Sequence, residues 1–336
     1  SFANVQKAKL VSVQTLQPIS FDHYIELQGR IDAENISNIT PRGNPGQVKA
    51  IFVKQGQYVR KGQLLMKLDD AIVRQNLVAA KQGLEQIKTQ LAFQKNIYQR
   101  QKNLWDQKIG TEVQVITAES NVESLENQLK AAQENVKVVN EQLNTANVVS
   151  DVDGVADVVT IRVGEVFSGT PGTNGIKIVN TSSLKVVSTI PENYLGSVHS
   201  GAEVLVNVPD IGKNFKSSVS FVGASIDLIN RGFTIEAKLP SDPALKPNLV
   251  ATVKVKDYSA PNAIAIPVAT MQTDEKGKFV MVATTENGKL VAHKRPINIG
   301  MLNGDQLEVK MGLKAGDVLV TEGFQSLYDG LVITTQ

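Results

Sequence analysis

The stretch TEVQVITAESNVESLENQLKAAQENVKVVNEQLNT, residues 111–145, decides how the rest of the chain has to be arranged. Within it Val115, Ala118, Val122, Leu125, Leu129, Ala132, Val136, Val139 and Leu143 recur at alternating spacings of three and four. That rhythm puts one apolar stripe along a helix, narrow enough to be the seam of a coiled coil. Upstream, Val73, Leu77, Ala80, Leu84, Ile87 and Leu91 keep the same spacing, continued by Gln94, Tyr98, Gln101 and Trp105. Each helix is then on the order of 50 Å long at 1.5 Å per residue. The link Asp106-Gln107-Lys108-Ile109-Gly110-Thr111 is too short for anything but an antiparallel return. Gly110 suits an unusual backbone angle, Thr111 reads as the cap of the second helix, and Gln114 completes a capping box. Residues 71–145 are expected to form a coiled-coil α-hairpin, with Leu77, Leu84, Leu91, Val122, Leu129 and Val136 in its seam and its tip near residues 105–112. The remaining faces, rich in Gln, Asn, Glu and Lys, stay wet or open to other chains.

This rod interrupts a repeat. Gly46, Val48, Ile51, Val53, Lys54, Gly56 and Val59 are matched, at a constant offset of 108, by Gly154, Ala156, Val159, Ile161, Arg162, Gly164 and Phe167. Short apolar alternations punctuated by Gly46, Gly56, Gly62, Gly154 and Gly164 predict short strands with glycines at tight turns. Each copy is too small to bury its own apolar face, so the two are expected to make one core by coming together. An antiparallel hairpin ends where it starts, and so closes onto such a two-part sheet. Asp69-Asp70, at the strand-to-helix junction, reads as the N-terminal cap of the first helix.

Downstream the pattern is all β. Leu184–Ile190, Ala202–Val208, Ser218–Val222, Phe233–Leu239 and Leu249–Val255 predict evenly spaced strands of a small barrel. A further sheet region starts at Ser259, with hairpin turns at Asp274–Gly277 and Glu286–Gly288 and a strand entered from Gly312–Asp317. That sheet lacks strands, and the two in residues 1–37, around Val11–Val13 and Phe21–Leu27, are expected to complete it.

Composition excludes more than it assigns. With a formal net charge of +2 and no cysteine, the chain has neither the basic excess of a nucleic-acid binder nor thiol chemistry. Lys95, Arg100, Lys102 and Lys108 near the tip face Glu112, Glu119, Glu123 and Glu126 on the return helix, which argues against a nucleic-acid stripe. His23, His199 and His293 have no neighbours at metal-ligand spacing, and Met66, Met271, Met281, Met301 and Met311 are scattered. No set of nucleophile, base and orienting group is present, so a non-enzymatic role is expected, with no metal. No run of 18 apolar residues exists to span a bilayer.

The order of these parts resembles the periplasmic adaptors, or membrane fusion proteins, of tripartite bacterial efflux pumps, closest to those of proton-driven, RND-type drug exporters. The resemblance spans essentially the whole chain and rests on Val48–Asp69, its echo after Gly154, Ile190-Pro191-Glu192, and the Gly312–Val320 turn. It implies a mainly β multidomain fold: a split lipoyl-like (barrel-sandwich hybrid) domain of residues 38–70 and 146–179, the α-hairpin of 71–145, a β-barrel of 180–258, and a membrane-proximal β-domain of 1–37 and 259–336. The modifiable lysine hairpin of lipoyl carriers is replaced here by the rod, so no covalent cofactor is expected. In the family the tip carries an Arg, a Leu four residues on and a Ser seven further, which dock on the outer-membrane channel. Here these are Arg100, Leu104 and Thr111, the last a departure that keeps the hydroxyl and adds a methyl. The implied partners are an inner-membrane transporter, a TolC-like outer-membrane channel and further copies of the chain, as a hexamer. The implied location is the periplasm of a Gram-negative bacterium, attached to the inner membrane by a lipid anchor or N-terminal segment outside this chain. The competing readings are an adaptor of an ATP-driven (ABC) exporter and a lipoyl or biotinyl carrier subunit.

Overall fold

Helix α1 (Ala71–Asp106) and helix α2 (Glu112–Asn144) form the hairpin. The computed structural model describes residues 7–335. In α2 the nine stripe residues are buried or half-buried and every other residue of the helix is exposed. In α1 the stripe is covered from Val73 to Gln101, with Gly83 and Ile97 added to it. The helices are antiparallel, and Lys95 reaches Glu126 across them at 3.6 Å. Trp105 departs from the expected seam: the stripe ends toward the tip at Gln101 and Val115, and the chain then turns off the helix, leaving the indole 41% exposed.

At the start of α1 the capping bond falls to one of the two expected aspartates. Asp69 Oδ1 accepts from the Ala71 N–H at 3.0 Å, and that bond holds the Asp69 carboxyl below its ordinary pKa of 3.8. Asp70 makes no cap bond and instead takes the Arg74 guanidinium on both oxygens at 2.9 Å. The strands that deliver and receive the hairpin, Leu64–Leu68 and Asn147–Val149, are hydrogen-bonded to each other, so the rod leaves and re-enters the sheet side by side.

The two halves of the repeat form strands of equal length, Gly46–Ile51 and Gly154–Val159, followed by Tyr58–Val59 and Val166–Phe167. Each short strand pairs with the long strand of the other half: Gly46 with Phe167, and Val59 with Gly154. The exchange is reciprocal bond for bond. Val48 N–H donates to Glu165 O and Ala156 N–H to Gln57 O, both at 2.8 Å. Turn chemistry repeats as well, with Gln57 Oε1 accepting from the Lys54 N–H and Glu165 Oε2 from the Arg162 N–H, both at 3.1 Å. One core results, shared by Val48, Val53 and Val59 with Ala156, Ile161 and Phe167. Gly56 and Gly164 take φ of +86° and +92° at matching turns, as expected. Gly46 and Gly154, expected at turns, open strands instead. A Cβ on Gly154 would lie 2.5 Å from the Val179 carbonyl, so close strand packing requires glycine there.

The chain divides into two compact units, residues 33–183, which hold the hairpin and the split sheet, and the remainder. In the remainder, six strands follow one another in hydrogen-bonded order and close on themselves. They are Ile176–Pro191 from Leu184 on, Gly232–Leu239, Lys213–Val222, Glu203–Val208, Val250–Pro267 and Ile19–Asn38 as far as Asp32, the last returning to the first. Ser188 Oγ donates to Gln28 O at 2.6 Å where the barrel closes. Ser12–Thr15 pairs with Val318–Glu322, and Lys9–Leu10 runs parallel to Val332–Thr334, completing the terminal sheet as expected. The strand around Phe21–Leu27 does not join that sheet: it lies along Val250–Pro267, with Ile25 to Arg30 opposite Val255 to Val250. Val250–Pro267 itself runs through Ser259 and absorbs Pro261 at a register shift between Ala260 and Ala263, where no ladder bond is needed.

Candidate functional site

The far end of the hairpin is built by two capping motifs back to back. Ile109 N–H donates to Leu104 O at 2.9 Å and Lys108 N–H to Trp105 O at 2.8 Å, the Schellman pattern that ends a helix through a left-handed residue. That residue is Lys108, with φ +60°, and Gly110 follows at φ +88°. Thr111 then starts α2 with the capping box its sequence predicts: its N–H donates to Gln114 Oε1 at 3.0 Å, and its Oγ1 accepts from Gln114 N–H at 3.4 Å. Both caps are made by residues of the tip itself, so the end of the rod is ordered without help from a partner.

What this ordered end presents is mixed. Arg100 is exposed and has neither a hydrogen bond nor an ion pair among the described residues, leaving its fork of donors for another molecule. Leu104 is 40% exposed and Thr111 is exposed. The three expected docking residues therefore lie on one terminal stretch of the hairpin. Trp105 and Ile109, the latter 54% exposed, join them as apolar surface, as do Val113 and Ile116 beyond the cap. Sequence reading assigned Trp105 to the seam, placed Ile109 only in the link and took Lys108 only as part of a basic cluster balanced by the return helix. Their signal was the short link itself, since residues past the last covered turn have no helix opposite them.

Elsewhere, tertiary pairing supplies what sequence spacing did not. His23 Nδ1 lies 2.6 Å from Asp257 Oδ1, and His293 sits between Glu286 at 2.6 Å and Asp329 at 3.1 Å. The Glu286 carboxylate, with Asp329, holds the His293 imidazole above its ordinary pKa of 6.5. The His293 contacts tie strands and a loop of the terminal sheet together, and the His23 contact joins Ile19–Asn38 to Val250–Pro267. Among the described residues, no group of three or more His, Asp or Glu side chains is arranged to hold a metal ion. Nor is any helix among them long and apolar enough to cross a membrane.

Comparison with known proteins agrees with this geometry in the hairpin and in the C-terminal part of the chain. Residues 262–326 match the family described as RND MFPs, C-terminal permuted SH3 domain, and residues 79–138 match the CzcB-like, alpha-helical hairpin domain. The multidrug resistance protein MdtA of Cronobacter turicensis is 25% identical over 328 residues, covering 95% of this chain and 78% of the relative. That of Xenorhabdus bovienii is 26% identical over 332 residues, covering 96% and 79%. Among solved structures, MacA from Actinobacillus actinomycetemcomitans superposes with a TM-score of 0.66 at 22% identity, covering 91% of this chain and 98% of that one. A MacA-MexA chimera carrying the Pseudomonas aeruginosa MexA α-hairpin gives 0.66 at 20% identity, covering 91% and 99%. At these identities the two structures establish the shared fold.

Proposed function

We propose that this chain is one of the membrane fusion proteins of RND-type tripartite efflux pumps, the non-catalytic periplasmic adaptors that link an inner-membrane exporter to an outer-membrane channel, and that it engages the channel through Arg100, Leu104 and Thr111. One observation carries the assignment of the site. An arginine without a partner among the described residues and a half-open leucine stand on the self-capped end of a long hairpin. Arg100 offers planar donors to carboxylates or carbonyls, Leu104 an apolar contact, and Thr111 a hydroxyl whose proton is not used by its cap.

The cargo is drugs or other small molecules, a reading supported by the MdtA relatives being multidrug resistance proteins. The split lipoyl-like part (38–70 and 146–179) and the polar flanks of the hairpin (71–145) pack against neighbouring copies in a closed ring of six. Ring closure requires a heterologous interface, and the rod's wide exposed faces supply the area for one. The barrel (180–258, closed by Ile19–Asn38) and the terminal sheet (259–336, with Lys9–Leu10 and Ser12–Thr15) grip the transporter.

Replacement of Arg100 or Leu104 by Asp tests the site. The expected result is a folded adaptor at wild-type level, by helical circular dichroism and immunoblot, that no longer supports drug export. Wild-type resistance in both variants would overturn the assignment of the tip.

A further inference from the structure

Lys108 occupies a backbone position made for glycine. Left-handed backbone is reached easily by glycine and, at some cost, by asparagine or aspartate. Among the described residues, four others than glycine have positive φ: Lys108, Arg231, Asn248 and Asn287. Two of them are asparagines, and Arg231 has a reason to be arginine, since its guanidinium meets Glu192 at 2.9 Å. Lys108 has no such reason. Its side chain is exposed and makes no hydrogen bond or ion pair among the described residues, the nearby Asp106 and Glu112 carboxylates included. Folding would favour glycine here, so the use of the lysine lies outside the chain.

Its surroundings indicate what it meets. Leu104, Trp105 and Ile109, all exposed, flank it in sequence and form the turn whose bonds hold it. A compact ammonium beside exposed apolar surface is complementary to a carboxylate beside an apolar depression. We propose that Lys108 is a specificity-determining contact of the tip, a cation offered to a carboxylate on the periplasmic end of the outer-membrane channel. This rests on the reading of the tip as the channel-docking end, and adds to it a residue outside the family's three-residue pattern and a stated chemistry for the partner.

The test uses the full-length adaptor and the outer-membrane channel of the same pump, purified in detergent, with binding measured at low and high salt. Lys108→Gly is expected to raise the thermal midpoint of the helical signal, because the turn is relieved, while binding the channel roughly tenfold more weakly at low salt. Lys108→Arg keeps the affinity, Lys108→Glu loses more than Lys108→Gly, and high salt closes the gap between wild type and Lys108→Gly. Wild-type binding by Lys108→Gly and Lys108→Glu, with Arg100→Asp inactive, would overturn this inference and leave the docking role of the tip standing. Equal losses in Lys108→Arg and Lys108→Gly would overturn it too, since charge would then not be what matters. No rise in midpoint for Lys108→Gly would remove its premise. Wild-type binding by Arg100→Asp would instead bring down the docking reading itself.

Discussion

The helical rod and the split sheet at its base belong to one compact unit, yet they hold together by different means. In the sheet, Val48, Val59, Leu65, Ala156 and Phe167 are wholly withdrawn from solvent. In the rod the best-covered side chains, Leu77, Leu91, Ala118 and Val122, keep 5–8% exposure, and the remaining stripe residues are only half-buried. The rod's partners are its own neighbours along a folded-back chain, whereas the sheet draws its strands from both sides of the insertion. A thin seam leaves most of each helix surface free, along its length and at its end. A closed core gives that rod a rigid base.

The contrast can be broken by truncation. Phe167→Ala should cost the unit about 3–5 kcal/mol, because it opens a cavity in a core that neither half builds alone. Leu91→Ala in the seam should cost less, about 2 kcal/mol, since water already reaches part of that site. Urea unfolding followed by circular dichroism gives both numbers, and equal losses would mean that rod and sheet are not differently built.

The pseudo-symmetry sharpens the picture at the next level. Gly56→Ala and Gly164→Ala each force a methyl-bearing residue into φ near +90°, with no neighbouring atom within 4 Å of the added Cβ. Each should therefore lose about 1–2 kcal/mol from backbone strain alone, and by closely similar amounts. A large difference between the two midpoints would show that the halves match in sequence and bonding but not in energy.

The smallest effect concerns the root of the rod. The Ala71 N–H bond lowers the Asp69 pKa in the folded state, so its stabilising contribution is present above pH 3.8 and is lost as pH falls through the folded-state value. Asp69→Asn should accordingly lower the thermal midpoint slightly at pH 6 and leave it unchanged near pH 2. A deficit that persists in acid would assign the effect to packing instead of to the carboxylate.

Legibility from sequence followed the range of the interactions. The hairpin could be read almost residue by residue, from Val73 to Gln101 and from Val115 to Leu143, because a seam between consecutive helices is periodic and local. The capping box at Thr111 and Gln114 was legible for the same reason. Reading failed at Trp105, where periodicity continued past the point at which a partner helix exists. It failed again at Phe21–Leu27, whose alternation says that the segment is a strand but not which distant strand it joins. His293 lacked visible partners because Asp329 arrives from a loop far along the chain.

The amino-acid order by itself determined the helices, their return, the glycine turns and the two-fold repetition, all of which depend on contacts within a few residues or on identity at a fixed offset. Only the tertiary structure decided that each half of the repeat lends its short strand to the other, that Ile19–Asn38 closes the barrel, and that Lys108 stands in a left-handed turn with no partner among the described residues. The reason is that backbone hydrogen bonds are the same for every residue type. A strand's sequence states which face is apolar, and which edge it meets is settled by the shape of the whole core.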